Sequence, residues 1–184
     1  PVPMYLNLLK SLIATPSLSR QEGDTADLIE AFLMERGLEP QRHLNNVWLK
    51  ARNWQDGRPV VLLNSHHDTV KAAAGYTRDP HLAEVVDGKL YGLGSNDAGG
   101  ALVSLISAFG ELENDPDLAC NLILAATAEE EISGPNGIAA LLPLLGPIDA
   151  GIVGEPTLLD LAVAERGLVV IDGETKGVSG HAAR

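Results

Sequence analysis

At 184 residues, with 45% apolar residues and a mean hydropathy of +0.07, the chain has an ordinary globular profile, long enough for one good core and part of a second unit. A net charge of −12, from 25 acidic against 13 basic residues, argues against a nucleic-acid partner, since phosphate binding needs a basic face. No apolar run reaches membrane-spanning length, no basic-then-apolar leader opens PVPMYLNLLK, and the single Cys120 rules out a disulfide framework. The expectation is a cytoplasmic protein with no membrane partner, Cys120 serving as a small core residue.

Leu6, Leu9 and Ile13 fall at helical spacing within residues 4–14, and Thr15-Pro16 ends that helix. Ser19 and Glu22 form a capping-box pattern that opens a second helix, running to about Arg36, where Gly37 supplies the stop. A strand-like stretch follows at 46–51. A clearer one covers 59–64, whose Val60-Val61-Leu62-Leu63 is apolar on both faces, as in a parallel strand buried between helix layers. Residues 81–94 read as a short hairpin with Asp87-Gly88 at its turn. Two further strands at 122–126 and 150–153 alternate with helices at 98–113 and 138–145. That alternation predicts an α/β fold, a mostly parallel sheet with helices on both faces. After Glu165 the pattern changes to one long strand over 167–177, which predicts the start of a second unit.

Open α/β sheets place ligands beyond the carboxyl ends of their strands. The residues following the buried runs are Ser65-His66-His67-Asp68, Thr127-Ala128-Glu129-Glu130-Glu131 and Gly154-Glu155-Pro156-Thr157, and Gly94-Ser95-Asn96-Asp97 precedes a helix. Carboxylates converging there repel unless a cation sits among them, so a metal is the economical reading. His66 and Asp68, one residue apart in an extended segment, point the same way, and a metal-binding imidazole usually donates its other N–H to a carboxylate. His67 faces the other side, as a packing or surface residue. Asp97 stands where a helix cap is common, and also where a carboxylate would bridge two ions. Three adjacent glutamates usually form a solvated run; here they leave a buried strand, where one bound to metal and one moving a proton would fit. Glu155 is kept extended by the following Pro, with a surface turn as the plain alternative.

Taken in order, SHHDTV, GLGSNDAGG, TAEEE, GEPT and GHAAR resemble the family of acetylornithine deacetylases, succinyl-diaminopimelate desuccinylases, aminoacylases and glutamate carboxypeptidases. The resemblance runs along the whole chain, and LYGLGSNDAGG looks closest to the acetylornithine (or succinylornithine) deacylase branch. It implies a zinc-exopeptidase-like catalytic domain in residues 1–165, with its C-terminal half missing, and the start of a lid and dimerisation domain in 166–184. His66, Asp97 and Glu155 would hold one divalent ion. Asp97, Glu131 and a histidine beyond the chain would hold a second. Glu130 would be the general base, Asp68 would orient His66, and His181 would stabilise the oxyanion in a neighbouring subunit's site. Arg166 would meet a substrate carboxylate. The metals would be zinc, or else cobalt or manganese.

The implied reaction is removal of an acetyl or succinyl group from an N-acylated amino acid such as N-acetylornithine, in arginine biosynthesis, by a homodimer. A dipeptidase, carboxypeptidase or succinyl-diaminopimelate desuccinylase would share the chemistry and differ in its pocket. A non-catalytic binding module on the same scaffold would have lost the base or ligands, and all those implied for this stretch are present. The resemblance also implies a cis peptide after Asp97, and family members often carry Lys where Gly99 stands. With the distal histidine outside the 184 residues, the expectation is weak binding of the second ion and little activity for this piece.

Overall fold

The computed structural model describes residues 2–158 and, beyond them, 160–164, 167, 169, 171, 173, 174 and 177. Helix α1 spans Val2–Ala14 and buries the stripe Leu8, Leu9, Leu12 and Ile13, while Leu6 is left at the surface. Helix α2 spans Gly23–Met34 and buries Thr25, Ala26, Ile29 and Leu33. Gly37 stops it as expected: at φ +71 it lets its own N–H reach the Met34 carbonyl while the Leu38 N–H reaches that of Leu33.

The start of α2 differs from expectation. Glu22 occupies the cap position without a side-chain bond to the helix's own amides. Ser19 does not cap either, because its hydroxyl donates to Asp68 Oδ2 at 2.7 Å. Both members of the presumed capping box are drawn off by the turns beyond the sheet.

Strands β1 (Gln41–His43), β2 (Asn46–Lys50) and β3 (Val60–His66) follow, then the hairpin β4 (Glu84–Val86) and β5 (Lys89–Tyr91). Asp87 and Gly88, both at positive φ, turn that hairpin. After a turn at Ser95–Gly99 come α3 (Gly100–Leu112), β6 (Asn121–Thr127), α4 (Ile138–Leu145) and β7 (Ala150–Val153).

The main sheet has the order β1-β2-β6-β3-β7. Strand β3 pairs parallel with β6 and β7, whereas β2 pairs antiparallel with β6 and β1 with β2. The sheet is therefore mixed, a parallel core carrying an antiparallel flank. Helices α1, α2 and α3 cover the face presenting Leu49, Leu63, Leu122 and Leu124. Helix α4 seals the other through Leu141 and Leu145 against Trp48, Val60, Leu62, Ile123 and Ala125. Both faces of β3 and β6 are buried, which is why their sequences are apolar without alternation. The small hairpin stands apart as its own two-stranded sheet.

Helix α3 begins two residues later than its sequence suggests, because Asp97 and Ala98 are both non-helical; the peptide between them is cis. A side chain at Gly99 would put Cβ 2.5 Å from the Gly94 carbonyl oxygen and 2.8 Å from Leu9 Cδ1, so any larger residue here would force the Ser95–Gly99 turn or α1 to shift. Among the described residues no helix is long and apolar enough to cross a membrane. The strand expected at 167–177 and the boundary at 165–166 fall largely outside the described residues.

The second face depends on α4. Leu141 is fully buried, so Leu141→Ala in the full-length protein will cost about 2–5 kcal/mol in urea unfolding. A loss under about 1 kcal/mol would mean that α4 does not seal the sheet.

Candidate metal centre

Strands β3, β6 and β7 run parallel and end at one edge of the sheet, which delivers His66, the glutamate turn and Glu155 to the same place. The turn at Ser95–Gly99 brings Asp97 in from the α3 side.

His66 is buried at the centre, 1% exposed. Its Nδ1 lies 2.9 Å from the Asp68 main-chain carbonyl, which fixes Nδ1 as the protonated nitrogen and turns Nε2 outward. Around Nε2 stand Asp97 Oδ1 at 3.1 Å, Glu130 Oε2 at 3.8 Å and Glu155 Oε1 at 3.8 Å. Donor atoms of His66, Asp97 and Glu131 lie within 4.8 Å of one another, and so do those of His66, Glu130 and Glu155. Asp97, Glu130, Glu131 and Glu155 thus meet at the His66 imidazole. Glu131 groups with His66 and Asp97, and Glu155 with His66 and Glu130.

The electrostatics are those of a site built for positive charge. Burial and the charges of Asp97, Glu130 and Asp68 raise Glu131 above the usual carboxylate range. Burial, followed by Glu130, Asp97 and Glu131, does the same to Glu155. At His66 burial disfavours the imidazolium, yet the hydrogen bond and charge of Asp68, with Glu155 and Glu130, outweigh it and lift the pKa to about 9. One imidazole nitrogen facing several mutually repelling carboxylates is a donor set suited to a divalent ion of the zinc type. Aspartate and glutamate side chains at such a site are half-exposed, open to solvent and to a substrate.

Asp68 does more than the sequence suggested. Its carboxylate is 3.4 Å from His66 Nδ1, farther than its own carbonyl. Its oxygens accept the Glu130 N–H at 3.0 Å and the Glu131 N–H at 3.2 Å, along with the Ser19 hydroxyl. Burial opposes its ionisation, but His66, Ser19 and the Glu130 amide hold its carboxyl below the ordinary value.

His67 is a packing residue. Its ring meets Thr25 Oγ1 at 2.9 Å and the Asn45 carbonyl at 2.9 Å, and burial pushes its pKa down to about 4. Asp97 is not a helix cap, since its carboxylate goes to His66 and α3 has no side-chain cap. Asn46 and Glu22 were not singled out as site residues, though both bond the glutamate turn: Asn46 Oδ1 accepts the Ala128 N–H and Glu22 Oε1 accepts that of Glu129. Arg166 and His181 lie outside the described residues.

The model of peptidase family M20/M25/M40 matches residues 62–171. Among curated relatives, the acetylornithine deacetylase of Edwardsiella ictaluri is 32% identical, over 99% of this chain and 50% of that protein. Succinyl-diaminopimelate desuccinylase 2 of a Ruegeria species is 31% identical, over 98% of this chain and 48% of that protein. The chain thus spans about half the length of these relatives. Among solved structures, the M20 family metallo-carboxypeptidase Sso-CP2 of Sulfolobus solfataricus superposes with a TM-score of 0.67 at 21% identity, covering 82% of this chain and 37% of that one, a likeness of fold.

His66 is common to both donor groups. In the full-length protein, His66→Ala will weaken binding of zinc or cobalt at least about 100-fold by isothermal titration, beyond what loss of a supporting residue costs. Parental affinity in that variant would remove the imidazole from the ligand set.

Proposed function

Because the chain belongs to peptidase family M20/M25/M40, a family of hydrolases, we propose that the whole protein is a metal-dependent amide hydrolase that removes an acetyl or succinyl group from an N-acylated amino acid, with N-acetylornithine as the leading substrate. The observation that supports it is the ring of Asp97, Glu130, Glu131 and Glu155 around the outward nitrogen of His66. The names of the two curated relatives, both acyl-group hydrolases, favour the deacylase branch.

His66, Asp97, Glu131 and Glu155 would hold two divalent ions, zinc first and cobalt or manganese as substitutes. Bound there, such ions supply Lewis acidity, lowering the pKa of a water and polarising the amide carbonyl. Glu130 takes the proton from the attacking water and returns it to the leaving amine nitrogen. Its carboxylate has the freedom to do so, being half-exposed, while its main chain is anchored by Asp68. Asp68 also keeps His66 in the tautomer that presents Nε2.

The proposal extends to the organisation of the protein. Residues 1–165 form the N-terminal part of the catalytic domain and 166–184 begin a lid domain through which two copies pair. His181 then serves a neighbouring site and Arg166 meets the substrate carboxylate. With free ornithine as the product, the proposed role lies in arginine biosynthesis and the proposed compartment is the cytoplasm.

Glu130→Gln in the full-length protein will lower kcat by about 10²–10⁴-fold while bound metal stays at the parental level. N-acetylornithine, N-succinylornithine, N-succinyl-diaminopimelate and dipeptides, assayed side by side, will give kcat/KM values at least about tenfold higher for the acylated ornithines. A dipeptide preferred over all acyl amino acids would replace the deacylase reading by a dipeptidase one. A fully active Glu130→Gln would remove the base assignment.

A further inference from the structure

Glu22 is a buried acid with no part in the reaction as described. It is 0% exposed, and among the described residues it forms no ion pair. A carboxylate so placed is costly unless its oxygens are matched by donors. They are. Oε1 accepts the Arg20 N–H at 2.6 Å and the Glu129 N–H at 3.2 Å, and Oε2 accepts Asn45 Nδ2 at 3.0 Å. The Arg20 bond closes the loop that carries Glu22. The Glu129 bond reaches across 107 positions of sequence to the head of the glutamate turn.

That turn needs holding. Glu129 sits at φ 54, ψ 23, a left-handed conformation that a non-glycine residue keeps only when its surroundings enforce it. Its side chain points inward and is buried, where it accepts Asn136 Nδ2 at 2.9 Å and the Asn136 N–H at 3.3 Å. With Glu129 turned in, Glu130 and Glu131 are turned out towards His66. The loop bearing Glu22 is itself tied to the sheet edge, where Leu18 bridges to Thr69 and Ser19 bonds Asp68. A simple role as helix cap does not account for Glu22, whose side chain makes no bond to the amides of α2.

We propose that Glu22 is a positioning residue for Glu130: acting as a hydrogen-bond acceptor, it locks the Glu129 amide and so maintains the left-handed turn that carries Glu130 to the reacting water. The catalytic part of this inference rests on Glu130 being the general base, as proposed above. What matters is the acceptor and its reach, not the charge. Glu22→Gln keeps an oxygen on the Glu129 and Arg20 amides and asks that the Asn45 amide turn over, giving up the 3.4 Å bond its Oδ1 accepts from Arg42. Glu22→Asp keeps the charge but falls short by a methylene, and Glu22→Leu removes the acceptor at similar volume.

The test uses the full-length protein, metal-loaded for kinetics and metal-free for backbone amide exchange. At saturating metal, Glu22→Leu will lower kcat by about tenfold or more, with KM within about twofold. In the metal-free protein it will speed exchange across residues 128–131 by about tenfold or more. Glu22→Gln will stay within about threefold of the parent on both measures, and Glu22→Asp will fall between. Parental kcat and exchange in Glu22→Leu would overturn the proposal. So would a Glu22→Gln as impaired as Glu22→Leu, or a fall in kcat matched by loss of folded protein in thermal melts. If Glu22→Leu does not fold, the order of the other two decides: Gln above Asp supports an acceptor, and Asp equal to or above Gln overturns it.

Glu130→Gln run alongside separates the two readings. If it is inactive while Glu22→Leu is unaffected, the positioning role alone fails. If it hydrolyses at the parental rate, the base assignment falls and takes the catalytic half with it, while the exchange data still decide whether the clamp exists.

Discussion

Strand β6 ends at Thr127, and the next four backbone amides enter a turn that no regular structure can satisfy. Each is received by a side chain from elsewhere: Ala128 by Asn46, Glu129 by Glu22, and Glu130 and Glu131 by the two oxygens of Asp68. These acceptors come from the start of β2, the approach to α2 and the end of β3. A buried N–H left unmatched costs on the order of 1–3 kcal/mol, so the turn and its three supports hold one another in place. The placement of Glu130 and Glu131 depends on that arrangement, since a peptide rotated at Glu129 would swing both away from His66.

Strand direction supplies the rest. Because β3 lies between β6 and β7 and parallel to both, three chain segments finish at one edge with their last side chains close together. Asp97 joins them because α3 starts at Gly100 after a non-helical turn, in which Gly99 packs closely against Gly94 and Leu9.

The elements most legible in the sequence were those whose signal is one of burial. The apolar runs in β3, β6 and α4 are sandwiched between layers, and such runs are readable without knowing their partners. Strand direction was less so, since the 46–51 stretch reads the same whether it pairs parallel or antiparallel, and β2 proves antiparallel to β6. The convergence of His66, Asp97, Glu130, Glu131 and Glu155 was readable because each follows a strand end or precedes a helix start. The supports were not. Ser19 and Glu22 have the local spacing of a capping box, and nothing in a linear reading reveals that bonds spanning 49 and 107 positions outcompete the helix for them. The same holds for Asp68, whose place beside His66 is visible but whose grip on two amides 62 and 63 residues away is not.

The division between rigid and adjustable parts follows from where charge can be tolerated. Carboxylates crowded around one imidazole gain from solvent, and Asp97 and Glu130 remain about half-exposed at their side chains. Their neighbours Asp68, Glu22 and Glu129 are buried, each matched to N–H or O–H donors that fix a single geometry. Precision is thus stored in the backbone beneath the site, while the side chains above it keep the freedom to adjust to a cation or a substrate. A proton-transferring group needs both properties: an origin that does not wander, and a terminus that can follow the proton from water to the leaving nitrogen. The outward-turned Glu130, hung from an inward-turned Glu129, has the two together, which an acid on a regular helix or a free loop would not.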